Sequence, residues 1–135
     1  MTRPRLTDGT SAARLTCVVD LLAIGLFVIA GMRSHRTDSQ LEIFLRNAVP
    51  LGGAWLAASF ALRTYRPPSL GRLLLTWAIA IPAGVLLRAW WTGSFDAGDV
   101  LTFGGVALAF TLAFLAGGRL LTNVLAPRIG SASPR

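Results

Sequence analysis

Four apolar stretches, at about 15–32, 43–62, 70–91 and 100–118, take up most of the chain. Each holds roughly 18 to 22 residues, and a helix rising ~1.5 Å per residue needs ~20 to cross ~30 Å of hydrocarbon. Lipid offers no partner to a free N–H or C=O, so each segment must satisfy its own backbone, which the α-helix does. A membrane β-barrel would show alternating segments of about ten residues, and the sequence has none. The linkers 33–42, 63–69 and 92–99 are short, and short linkers force neighbouring helices to be antiparallel. The expected fold is an all-α membrane protein with four transmembrane helices in an up-down-up-down bundle, over residues 15–126. A cytoplasmic tail is expected at each end, at 1–14 and 127–135. Pro67-Pro68 stops a helix between the second and third spans, whereas Pro50 and Pro82 fall inside spans and should kink them.

Composition agrees with this architecture and excludes others. The 135 residues carry 13 basic and 6 acidic side chains, for a net charge of +7. Their pI is near 11.7 and their mean hydropathy +0.60. Nucleic-acid binders reach such a pI through basic patches on a polar surface. Here charged residues make up only 14%, against about 25% in an ordinary soluble domain, so no nucleic-acid partner is expected. One cysteine, Cys17, and one histidine, His35, leave no intrachain disulfide, metal cluster or paired haem ligands. No phosphate-binding loop, nucleophile elbow or paired bundle carboxylates occur. Neither a cofactor nor enzymatic activity is expected. The first stretch reads as a retained span rather than a cleaved signal, because it is long, contains Asp20 and lacks a small-residue cleavage site. A bias to Ala, Arg and Gly without Lys suggests a GC-rich bacterial genome.

Arginine placement orients the bundle. Arg3, Arg5, Arg14, Arg63, Arg66, Arg72, Arg119, Arg128 and Arg135 fall on one side, and Arg33, Arg36, Arg46 and Arg88 on the other. Both termini are therefore expected in the cytoplasm and the protein in the plasma (inner) membrane. The cytoplasmic arginines are expected to meet anionic lipid.

An ionisable residue within a span costs roughly 2.5–3.5 kcal/mol on insertion scales, so each one needs a reason. Asp20 has two readings. It is a proton or cation site, or a rim carboxylate that pairs with Arg14, Arg72 or Arg119. On a helical wheel it shares a stripe with Ile24, Phe27, Gly31 and His35, expected to face the bundle interior. Arg88 precedes Trp90-Trp91 near the outer end of the third span. It either snorkels to the interface, or lies inside and binds an anion or pairs with Glu42, Asp96 or Asp99. Arg33 and His35 add to this outer mouth, and Glu42 and Arg46 are spaced to pair on one helix. The mouth reads as ordinary headgroup contact or as a vestibule for a small anion or lipid headgroup. Small residues recur every fourth position, at Gly53, Ala57 and Ala61 and at Gly105, Ala109, Ala113 and Gly117. Such stripes serve close helix packing, within the bundle or across a homodimer.

Three patches carry a family resemblance. They are Asp20-Leu21-Leu22 with Ile29-Ala30-Gly31-Met32-Arg33-Ser34-His35, then Pro82-Ala83-Gly84-Val85-Leu86-Leu87-Arg88, then Gly117-Gly118-Arg119-Leu120-Leu121. With these, the chain resembles an uncharacterised family of small bacterial and archaeal membrane proteins, a domain of unknown function. The resemblance implies a four-helix membrane domain over about 15–122, marks Asp20, Arg33, His35 and Arg88 as positions to test, and supplies no activity. The functional expectation is a non-enzymatic module that binds lipid, a partner membrane protein or its own copies. The alternative is a small transporter or channel protomer, acting as an oligomer, with Asp20 as its proton or cation site.

Overall fold

The computed structural model describes the backbone of residues 6–32, 39–66 and 69–130, and the side chains of 13–32, 39–66 and 69–121. Four helices are present: α1 (Leu6–Met32), α2 (Gln40–Ala61), α3 (Leu70–Thr92) and α4 (Ala97–Gly130). No strand occurs among the described residues. Arg33, His35, Pro67 and Pro68 lie outside them, as do Arg3, Arg5, Arg36, Arg135 and the side chain of Arg128. The helices outrun the apolar stretches, so much of the segments expected as tails is helical. Hydropathy marks how far a helix can sit in lipid; the intrahelical hydrogen bonds continue into the polar flanks.

Local chemistry sets the inner helix ends. Arg63 turns the chain after α2 with a positive φ of 50°. The Ser69 hydroxyl accepts the Arg72 N–H at 3.2 Å and caps α3 at its N-terminus. Gly93 ends α3 in the left-handed region at φ 66°, where only glycine sits without strain.

Successive helices run antiparallel. Asp20 of α1 meets Arg119 of α4, and further along α1 the Phe27 ring lies 6.3 Å from that of Phe103. Between α2 and α3, Leu51 lies against Gly84 and Asn47 against Arg88. Between α3 and α4, Trp77 meets Thr111 and Val85 approaches Gly104. Each helix packs on two neighbours, α4 returns to α1, and the backbones of the diagonal pairs stay more than 8 Å apart, Cα to Cα, among the described residues. The arrangement is a closed four-helix ring around Ile24, Phe27, Leu51, Trp55, Leu73, Ile81, Ala107 and Leu115.

Large apolar side chains also point outward from every helix. Leu22 of α1, Phe60 of α2, Leu86 of α3 and Leu101 of α4 are all more than half exposed. Three of the helices, over Ala13–Met32, Leu70–Thr92 and Ala97–Leu121, are long and apolar enough to cross a membrane. The second falls short, because Glu42, Arg46, Asn47 and Pro50 dilute its first half.

The small-residue stripes do not pack inside the bundle as one reading expected. In α2 the buried line is Leu51, Trp55 and Ser59; in α4 it is Ala107, Thr111 and Leu115. The stripes are offset from these by two positions, about 200° around a 3.6-residue helix. Gly53, Ala57, Ala61, Gly105, Ala109, Ala113 and Gly117 are accordingly all exposed. A Cβ added at Gly53, Gly105 or Gly117 would meet nothing within 4 Å. Close approach occurs elsewhere. A Cβ at Gly84 would stand 3.0 Å from the Leu51 Cα, and one at Gly118 2.9 Å from the Val19 Cγ1. Gly84→Leu should therefore lower the thermal unfolding midpoint in detergent, at an overpacking cost of about 1–3 kcal/mol. Gly105→Leu should leave the midpoint of the monomer unchanged.

Candidate functional site

Asp20, Ile24 and Phe27 lie on one face of α1, and all three are buried, Asp20 completely. Gly31, on the same stripe, is exposed and forms part of a recess at the opposite end of the bundle. The Asp20 carboxylate is held from two directions. Arg119 of α4 donates from Nη2 to Oδ2 at 2.9 Å and from Nε to Oδ1 at 3.2 Å, a two-point guanidinium–carboxylate contact. The Tyr65 hydroxyl donates to Oδ2 at 2.9 Å and accepts the Trp55 indole N–H at 3.0 Å. Three helices and the α2–α3 turn are joined in one chain of bonds. The Ser59 hydroxyl also approaches Tyr65, but in a geometry that forms no regular hydrogen bond.

Of the arginines expected as partners of Asp20, the structure selects Arg119. Arg14 is exposed. Arg72 turns to the backbone instead and donates to the carbonyls of Arg63, at 3.2 Å, and Arg66. Below it the Thr64 and Thr76 hydroxyls share a buried hydrogen bond of 2.5 Å, and Thr76 also donates to the Arg72 carbonyl. The α2–α3 turn is thus bonded internally and can hold Tyr65 in place.

Burial first, and the neighbouring Asp20 charge second, push the Tyr65 phenol well above its ordinary value of 10.0. Its neutral form donates to the carboxylate; its ionised form would face it as a like charge. A folded-state pKa above the unfolded one gives stability that is complete below about pH 10 and declines as pH rises further. Tyr65 is the sole tyrosine, so an alkaline absorbance titration reads this group alone. Phenolate should form only well above pH 10 in the folded protein, and at the ordinary value after denaturation. Tyr65→Phe should cost about 1 kcal/mol of stability.

The other end of the bundle is built differently. The Arg88 side chain is half-buried, its Nε donates to the Asn47 Oδ1 at 2.6 Å, and its guanidinium carbon lies 4.2 Å over the Phe103 ring. Asn47 in turn donates to the Ile43 carbonyl at 2.7 Å. Of the alternatives open to Arg88, pairing with Glu42, Asp96 or Asp99 does not occur: the side chain turns inward to Asn47, and no carboxylate lies within 4 Å of it among the described residues. Glu42 and Arg46 do pair one turn apart, at 3.2 Å, but both are exposed and the pair contributes little. Arg46, Asn47 and Arg88 line a recess of about 270 Å³ whose other walls are mostly apolar. No group of three or more metal-ligating side chains occurs among the described residues.

Sequence reasoning missed Asn47 and Tyr65. Asn47 had a signal, as an amide inside an apolar stretch. Tyr65 had little, as a lone aromatic in a basic linker.

The family described as Protein of unknown function (DUF3054) matches residues 17–122, which include both polar ends of the bundle. The chain belongs to this family. The DUF3054 match leaves out only the polar flanks of α1 and α4 and the residues beyond them. No curated protein and no solved structure matches.

Proposed function

We propose that this chain is a four-span plasma-membrane protein, with both termini cytoplasmic, that works by association rather than catalysis. Its associates are membrane lipid, a partner membrane protein or copies of itself. One observation carries the reading: apolar side chains face outward on all four helices, while Asp20, Asn47, Trp55, Arg88 and Arg119 turn inward and find polar partners there. This is the partition a bilayer demands, since an unsatisfied polar group in lipid costs several kcal/mol. It also supports α2 as the fourth span. Asn47 and Trp55 are engaged inside, and Val49, Leu56 and Phe60 are left outward. Positive charge at the Asp20 end and fewer arginines at the Arg88 end support the orientation, and anionic headgroups suit the cytoplasmic arginines. The exposed small-residue stripes are open to self-association.

The Asp20 environment weighs against the transporter alternative. A carboxylate held by a two-point arginine and a tyrosine is poorly placed to take up and release a proton or cation. Reporters fused after residue 135 and within 92–99 should read cytoplasmic and external, respectively. A C-terminus on the outer side would overturn the orientation. Asp20→Asn should leave proton-dependent flux in liposomes at the level of empty vesicles, as for the parent. Flux that the substitution abolishes would establish the alternative instead.

A further inference from the structure

We propose that the recess between Arg46, Asn47 and Arg88 binds one oxyanion, a phosphate or carboxylate group, with the Arg88 guanidinium as its principal contact. The proposal deepens the association reading by naming a site and a ligand class. Three observations carry it. First, Arg88 lies within α3, half-buried against Phe103 and Asn47, and no carboxylate neutralises it among the described residues. The other helix-borne arginine held inside the bundle, Arg119, has its carboxylate. Second, Arg46, one turn from the exposed Glu42 with which it pairs, lines the same recess and brings a second guanidinium to it. Third, the bond to Asn47 uses only Nε. That leaves the paired Nη donors of a planar fork whose geometry matches carboxylate and phosphate oxygens.

The walls limit the size of the ligand. Phe27, Val28, Met32 and Ile43 make one side of the recess apolar, and its volume of about 270 Å³ holds a single anionic group with a few carbons. A whole phospholipid does not fit. The oxyanion is therefore a free small ion or the headgroup phosphate of a lipid whose chains remain in the bilayer.

The test is thermal unfolding of the full chain in neutral detergent, followed by fluorescence of its four tryptophans. One arm titrates inorganic phosphate against sodium chloride at matched ionic strength. The other titrates phosphatidylglycerol against phosphatidylcholine in mixed micelles. Stabilisation in the first arm identifies a free anion, and stabilisation in the second alone identifies a lipid-borne one. Arg88→Gln should raise the apparent dissociation constant at least about tenfold, in line with the loss of a charged hydrogen bond. Arg88→Lys should recover part of the loss. If Arg88→Gln does not fold, Arg46→Gln should weaken binding, and so should Val106→Trp, which fills the recess from a half-exposed position on α4. No stabilisation in either arm overturns the proposal. So does a response that the recess variants leave unchanged, which would place the anion at the other arginines. These readouts do not depend on orientation in a membrane, so they fail or succeed separately from the topology.

Discussion

The Asp20–Arg119 ion pair is the contact on which the closed ring of helices depends. Three of the four helix interfaces join sequence neighbours, which short linkers hold together regardless of side chains. The interface of α1 with α4 has no such help, since the two are far apart in the chain. In lipid the hydrophobic effect does not drive helices together, so packing and polar bonds must do so. The pair supplies a polar bond at that interface, between an acid with no exposed surface and an arginine 16% exposed. Gly118 makes it reachable: beside it α4 comes so near α1 that a Cβ would stand 2.9 Å from the Val19 Cγ1 and force a shift. Arg119, the next residue, is thereby brought to the carboxylate. Tyr65 and Trp55 extend the same contact to the α2–α3 turn and to α2.

The two ends of the bundle solve the problem of charge in a membrane in opposite ways. At the Asp20 end opposite charges cancel, and the remaining oxygen capacity is filled by a phenol. Such a site is closed and serves to hold helices in register. At the Arg88 end an amide and an aromatic face hold a guanidinium in place without cancelling its charge. That site is open on the side of the recess. A saturated site specifies structure, whereas an uncompensated charge beside a cavity has chemistry left to perform.

Most of the architecture was legible in the sequence, because segment length and linker length constrain a chain in lipid so tightly. Asp20 stood out for the same reason, as a costly group in an apolar run, and its partner lay among three arginines that charge alone could not separate. Packing decided among them, through Gly118. The small-residue stripes were legible as faces, but not in which of two directions, inward or towards a second copy, they turn. Fourfold spacing says that residues share a face and is silent on its direction, and the buried lines Leu51–Trp55–Ser59 and Ala107–Thr111–Leu115 have the same spacing. Tyr65 was illegible because a linker has no periodicity to read. Its role follows from a turn held by Arg72 and Thr64, which exists only after α2 and α3 have met.

A double-mutant cycle tests the central claim most directly. Asp20→Asn, Arg119→Gln and the combined variant would be compared with the parent by reversible unfolding in detergent. Breaking one partner of a buried pair costs about 3–5 kcal/mol, since the other charge is left without compensation. If the pair closes the ring, the combined variant should be little worse than either single one, giving a coupling of about 2 kcal/mol or more. Losses that simply add would show that the two side chains act independently, and would contradict the account.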